Sequence, residues 1–468
     1  MKNVKRRFET FSFFDYTGIA GHLSKMAEKG WLIEKISNTG WVYRKIAPQK
    51  LTFYVTYFPN ASEFDPCPTQ EQQTFHDFCR HTGWKLAAAA AQMQVFFNEQ
   101  ENPVPIETDP VLQTAVIHAA AKKSFLPAHL LLLLISVVNI ILFVLTCSSD
   151  PVGLLAGGAN LFTGFAWLML FITVIIELYS YFSWHAKAKK LAAFGESAET
   201  FSFSRIRLSI LAAVLAGYAY WLAAILWNGP VFWKIVCICM ILYLAVLFFA
   251  VSGIRQLLKR KNVPRNLNRT ITLFSCFVLS LAILSSITYT ILRCSQKGLF
   301  DRGRETYEHN GAVFTVYQDE LPLTIEHLLG TSRDGYIKER RSDESLLLAR
   351  YEMRQYPRFD TPDFSDLPDL SYEITEIKLP VLYEFCKNSL LNAEQDETAD
   401  GRTVFINHFE PSDPVPWHAE DAWQLIRGTG PADRYLLCYE NRIVDIRFSW
   451  QPAEEQMAAV SARLNPPL

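Results

Sequence analysis

His408, Glu410, His418, Glu420 and Asp421 form the densest grouping in the chain of side chains able to hold a metal or exchange protons. Imidazoles beside carboxylates are the raw material of zinc sites and of general acid–base hydrolysis. The strings that would give such a grouping a mechanism are missing: there is no HExxH, GxSxG, GxxxxGK[ST] or GxGxxG. Pro411, Pro414 and Pro416 run through it. A proline-rich surface loop with ordinary polar residues is therefore expected, and no catalytic residue, metal or cofactor is assigned; a membrane hydrolase would have this cluster as its only support.

The remaining candidates are sparser. Cys67, His76, Cys79 and His81 are close in sequence, but helical spacing puts His76 and Cys79 on adjacent faces and turns His81 away. A solvated helix end is the expectation. The nine cysteines show no CxxC spacing, which argues against a zinc ribbon, a thioredoxin-like motif or a disulfide-rich scaffold. Cys386 and Cys438 lie well inside the C-terminal region; an oxidising exterior would allow them to pair, and separation as two buried thiols is the equal alternative. Glu177 is the one acid within the long apolar, membrane-length segments of the chain. A carboxylate at membrane depth is a candidate site by default, but Tyr179 two residues on places it near the headgroups, as a hydrated carboxylate.

These residues are positioned by three regions in series. The chain has 468 residues, half of them hydrophobic and 13% aromatic, with net charge -2. Charge is concentrated at the two ends. The basic start, Lys2 to Arg7, is followed by a segment broken by Glu9, Ser12 and Asp15, too polar for a signal peptide. A membrane-crossing helix needs about 20 mostly apolar residues. Five segments qualify: Ala128 to Thr146, Leu161 to Phe182, Leu208 to Trp227, Val231 to Val251 and Ile271 to Leu292. The resulting domains are 1–125, 126–293 and 294–468.

Short-loop basic residues set the orientation. Lys187, Lys189, Lys190, Arg205 and Arg207 follow the second span; Arg255, Lys259, Arg260, Lys261, Arg265 and Arg269 follow the fourth. The alternate loops carry only Lys234. The N-terminus is expected in the cytoplasm and, with an odd number of spans, the C-terminal region outside, in a multi-pass protein of the plasma membrane. A transporter would show matched halves and broken helices, and five spans do not divide into two equal repeats.

In the N-terminal region, Asp15 reads as an N-cap, Ile19, Leu23 and Met26 recur at helical spacing, and Gly30 ends the helix before Trp31 opens a strand. Strands over 31–36, 41–46 and 51–58 follow, the first two joined by a turn at 37–40. The pattern returns: Thr69 and Gln72 have capping-box spacing, Gly83 closes the helix, and Trp84 opens a strand through Ala91 with 92–97 as its partner. This is a duplicated helix, Gly-Trp, strand unit of α+β class, compatible with a ferredoxin-like arrangement. Trp31, Trp41 and Trp84 are expected in its core. Asp109 and Pro110 then start an alanine-rich helix that reaches Lys123, with Pro127 a site for a kink.

At Gly30-Trp31-Leu32, the strand with Tyr43, the aromatic run Phe53 to Tyr57, Gly83-Trp84-Lys85-Leu86 and Ile106-Glu107-Thr108-Asp109, the first 125 or so residues resemble an uncharacterised bacterial domain, catalogued as a domain of unknown function. The resemblance implies membrane helices after this domain and a gene neighbourhood that often includes PadR-like repressors. It supplies no catalytic residues. Thr56 stands where the family pattern has an acid.

The C-terminal region is also read as α+β. A strand is expected over 311–317, a helix or helix–strand mixture over 381–391, a hairpin from 434–439 and 443–449, and a terminal helix from Pro452 with Met457, Val460 and Leu464 inward. The arrangement points to a non-enzymatic membrane sensor or regulatory scaffold in signalling, linking an exported domain to a cytoplasmic one. Its expected partners are the lipid bilayer and a protein met through either soluble domain, with no nucleic acid; the oligomeric state is not read from the sequence. The alternative is an accessory subunit of a transport or envelope-export complex, which would offer the aromatic fourth span (Tyr243, Phe248, Phe249) to partner helices.

Overall fold

The computed structural model describes residues 3–37, 40–200, 203–228, 231–296, 305–330, 335–361, 366–392, 407–428 and 430–464. Contacts divide the chain into two compact units, residues 1–138 with 166–293, and residues 139–165 with 294–468.

The first unit begins with two copies of one topology. Copy one is β1 (Val4–Arg7), α1 (Tyr16–Glu28), β2 (Trp31–Lys35) and β3 (Trp41–Lys45); copy two is β4 (Thr52–Tyr57), α2 (Gln70–His81), β5 (Lys85–Ala90) and β6 (Met93–Asn98). Each folds into an antiparallel three-stranded sheet with its last strand in the middle, in the orders β1-β3-β2 and β4-β6-β5. The duplication extends to detail. Gly30 and Gly83 close α1 and α2 with φ of 80° and 88°, a conformation in which glycine carries no Cβ penalty. Four residues beyond each glycine the ladder has a bulge, between Ile33 and Lys35 and between Leu86 and Ala88. The aromatic run 51–58 therefore opens the second copy, and the basic N-terminal residues supply the matching strand of the first. The strands form two sheets, with β2 and β5 as neighbours, and do not join in one ferredoxin-like sheet. The turn centred on Asn38 and Thr39 lies outside the described residues, although Gly40 N donates to Ser37 O.

Both helices start as their sequences require. Asp15 accepts from Gly18 N and Thr69 from Gln72 N, satisfying an orphan donor in each first turn. The Gln72 side chain does not complete a capping box; its amide reaches Gln94 instead. Trp41 and Trp84 are buried and Trp31 is half-buried. The break between α3 (Pro110–Lys123) and α4 (Phe125–Ser149) falls at Ser124. Pro127 sits in the first turn of α4, where its missing N–H has no helical partner to lose.

Among the described residues, five helices are long and apolar enough to cross a membrane: α4, α6 (Gly158–Ala192), α7 (Ser204–Asn228), α8 (Val231–Arg260) and α9 (Arg265–Gln296). They contain all five expected spans, and the chain is a membrane protein with α+β regions on either side of them in sequence.

In the second unit, α5 (Pro151–Ala156) comes from the turn between the first two spans. β7 (Thr306–His309) and β8 (Ala312–Thr315) form a hairpin, and α10 (Ile325–Leu329) follows. β9 (Tyr336–Glu344), β10 (Leu348–Pro357), β11 (Leu370–Ile377), β12 (Asn407–Ser412), β13 (Asp421–Arg427), β14 (Gly430–Cys438) and β15 (Arg442–Phe448) make an antiparallel sheet in the order β12-β13-β14-β15-β11-β10-β9. The expected hairpin is β14–β15. The helix expected near 381–391 is α11 (Tyr383–Asn392), and the terminal one is α12 (Glu454–Leu464). Val460 and Leu464 are buried with Tyr372, Tyr435, Val444 and Phe448 on one sheet face.

Candidate functional site

Alternation along the strands of the seven-stranded sheet separates two faces. On the face opposite α12, register lines up three rows. Cys438, Ile443, Thr375 and Arg350 are cross-strand partners in sequence, as are Leu436, Asp445, Glu373 and Glu352, and Arg434, Arg447, Ser371 and Arg354. The apolar end of this face is covered by α5 and α11: Val152, Leu154, Leu155 and Ala156 are buried with Leu348, Ile377, Leu436, Cys438 and Ile443. Ser345 Oγ donates to Leu155 O at 2.6 Å. The turn of the first membrane hairpin is thus part of the core of the C-terminal sheet.

The other end of the same face is an open cleft of about 630 Å³ with charged walls. Three carboxylates, Glu352, Glu373 and Asp445, face one another across adjacent strands, an unfavourable row if left alone. Arginines flank it. Arg350 contacts Glu373 at 2.7 Å and Glu352 at 3.3 Å, and Arg434 grips Asp445 in a fork with N···O distances of 2.9 and 2.7 Å. Burial raises the Glu373 carboxyl pKa, with Arg350 opposing that rise. Arg350 also approaches Asp150, the N-cap of α5, at 3.9 Å, so it touches both the cleft and the cap of the hairpin turn.

In the first unit, a stretch of α6 meets the N-terminal fold. Val174, Leu178, Tyr181, Trp184 and Ala188 of α6 share one core with Phe14, Ile19, Leu23 and Tyr43. Within it Glu177 is ion-paired with Arg207 of α7, accepts from Ser12 Oγ at 3.3 Å, and Arg207 Nη2 donates to Thr10 O at 2.9 Å. Glu177 is 5% exposed. The expectation of a hydrated carboxylate fails: Tyr179 marks depth along the helix, but the segment 10–14 that covers the carboxylate comes from a distant part of the chain.

A second cavity in this unit, about 500 Å³, is lined by Tyr16, Tyr54, Glu107, Gln113 and the segment 197–199 among others. Glu107 accepts from Thr56 Oγ1 and, at 3.2 Å, from Tyr54 OH, which in turn accepts from Gln113 Nε2 at 3.0 Å. Burial raises the Glu107 pKa, and the hydroxyls of Thr56 and Tyr54 oppose that rise. Burial, then the nearby Glu107 charge, pushes Tyr16 up to about 12. An acid at position 56 would face this carboxylate; Thr56 instead donates to it. The signal that could have found the site was the motif Ile106-Glu107-Thr108-Asp109 taken with Thr56.

The other sequence candidates do not converge. His408 and Glu410 touch at 3.0 Å on β12. Asp421 pairs with Lys387 and follows a turn in which His418 has φ of 45°. Since Ser412 faces Ala422 in the ladder, Asp421 sits at the far end of β12 from His408. His76 contacts Gln94, the His81 ring contacts Asp77 O, Cys79 is buried against Trp84 and Phe96, and Cys67 is exposed. Cys386 and Cys438 are buried free thiols, each raised to about 11 by burial. Among the described residues no group of three or more His, Cys, Asp or Glu is placed to hold a metal.

Residues 15–129 match a family described as a protein of unknown function (DUF2812), from the cap of α1 into the start of α4, so the resemblance carried by the Gly-Trp joints holds for this region. No curated protein and no solved structure matches the chain.

Proposed function

We propose that this protein is a membrane-embedded sensor or regulatory scaffold in which the hairpin α4–α5–α6 connects a C-terminal extracytoplasmic domain to an N-terminal cytoplasmic one, in the plasma membrane. One observation carries the reading. The turn of that hairpin is buried in the core of the C-terminal sheet, while Val174, Leu178, Tyr181, Trp184 and Ala188 of α6 are buried in the core of the N-terminal fold. An occupant of the charged cleft that draws Arg350 toward itself acts on Asp150 at the cap of α5, and a stimulus of this kind shifts a population only through different affinities for two states. The basic residues of the loops after α6 and α8 support the orientation.

The test uses the full chain in membranes. Exposed Cys67 should react with an impermeant maleimide only after lysis, and a Ser342→Cys variant should react on intact cells. In purified protein, Leu154→Ala, which loosens the α5 plug, should raise amide exchange in α1 and β4. Labelling of both positions from one side, or exchange in α1 and β4 unmoved by a loosened plug, overturns the reading. A stoichiometric permease or ATPase co-purifying in mild detergent would favour the accessory-subunit alternative.

A further inference from the structure

We propose that the cavity beside Glu107 binds a small organic cation, an alkylammonium or quaternary ammonium group held among the Glu107 and Glu199 carboxylates and the rings of Tyr16 and Tyr54. The lining is one-sided in charge. It contains two carboxylates, two tyrosines, Thr17, Thr108, Gln113 and Ser197, and among the described residues no lysine or arginine. Glu177, a more deeply buried carboxylate of the same unit, is ion-paired with Arg207. Among the described residues Glu107 is held by hydroxyls, from Thr56 and Tyr54, and both leave its charge uncompensated. A buried anion without a counter-ion is unfavourable, and a cation entering the cavity removes that penalty.

The remaining features fit the same ligand. The N-terminus of α3, which would otherwise attract an anion, already has Asp109, whose Oδ1 accepts from Val111 N at 2.8 Å. Tyrosine faces attract alkylammonium groups, and about 500 Å³ lies within the usual range for small-molecule clefts, roughly 300–1,000 Å³. The outer wall belongs to the segment joining α6 to α7, which is tied to the N-terminal fold by Tyr16 OH donating to Ala198 O at 2.8 Å and by Ser197 Oγ to Gln113 at 3.4 Å. An occupant would therefore touch both the family-matched fold and the link between two membrane helices.

The proposal is independent of the sensor or scaffold role, because its readout is binding alone. Full-length protein in detergent is titrated with choline chloride and, separately, butylammonium chloride, against sodium chloride at equal ionic strength. Tryptophan fluorescence serves as the signal, since Trp184 and Trp84 lie 6.3 and 5.7 Å from the Tyr16 and Tyr54 rings. Saturable binding of either organic cation is expected, weakened by about tenfold or more in Glu107→Gln, in line with the loss of one charged contact. Glu199 is exposed, so Glu199→Lys should keep the fold and also weaken binding, by about tenfold; it carries the test if Glu107→Gln fails to fold. A response no larger than that to sodium chloride, or equal affinity in wild type and every folded variant, overturns the proposal.

Discussion

The first membrane hairpin is held at its turn and along α6 by different physics. At its turn, α5 offers apolar side chains to a sheet core, with one buried hydrogen bond from Ser345 and the Asp150 cap at its margin. Along α6 an aromatic cluster surrounds a buried ion pair, Glu177 with Arg207, whose remaining atoms Oε2 and Nε find no partner among the described residues. Apolar burial stabilises in proportion to area and tolerates small shifts. A buried ion pair adds little net stability but punishes any arrangement that separates the charges. The turn is therefore suited to holding tightly, and the α6 contact to specifying one orientation.

The largest effect should come from splitting the ion pair. Arg207→Met leaves the Glu177 carboxylate buried without a counter-charge and should cost about 3–5 kcal/mol. Adding Glu177→Gln should restore most of that loss, because the pair itself contributes little. Unfolding of the full chain, followed in all three variants, checks this; a double variant as unstable as Arg207→Met would reverse the assignment of roles. At the turn, Leu154→Ala removes a side chain that is 4% exposed and should cost about 2–5 kcal/mol. No second substitution should rescue it except one that refills the volume, and protease protection of the C-terminal region reports the loss.

How legible each end was in the sequence follows from the same difference. The five spans were plain because each is a continuous apolar run. The joints at Gly30 and Gly83 were plain because glycine, tryptophan and a cap recur at one spacing. The pairing of Glu177 with Arg207 was not, since thirty residues and a loop separate them and Arg207 reads as an ordinary loop cation. Strands β9 and β10 carry no clear strand signal because half their residues belong to the charged face, giving Arg350, Glu352 and Arg354 where a half-buried strand usually shows neutral polar residues. The part played by Pro151–Ala156 was hidden altogether: a short apolar piece beside two spans looks like the end of a span. The Glu107 cavity requires Tyr16, Tyr54, Glu107 and Ser197 to meet, and no spacing rule joins positions so far apart.

A smaller effect compares the two copies of the N-terminal unit. At Gly30 an added Cβ would lie 2.9 Å from the backbone oxygen of Ile46, whereas at Gly83 its nearest neighbour is the Asn98 side-chain amide at 3.2 Å. Both positions have positive φ, so alanine costs about 1 kcal/mol or more at either. Gly30→Ala should exceed Gly83→Ala, because backbone cannot rotate away as an amide side chain can. Equal losses would mean that backbone strain alone, and not the close approach, sets the cost.

The smallest effect is the pH response of Glu107, and its sign follows from linkage. Burial raises the folded-state pKa above the ordinary 4.5, so the folded protein holds this proton more tightly than the unfolded chain does. The associated stability is present in full below the unfolded value and is lost as pH rises through the raised folded value. Thr56 and Tyr54 moderate the shift by donating to the ionised form. Glu107→Gln removes the titration while keeping an acceptor for one hydroxyl. The stability difference, wild type minus variant, should therefore fall with increasing pH across the window that opens near 4.5, and level off above it. Choline, if it binds ionised Glu107, should lift the wild type only on the high-pH side of that window and so flatten the fall. A difference that rises with pH would place a counter-charge beside Glu107 and remove the basis for a cation in the cavity.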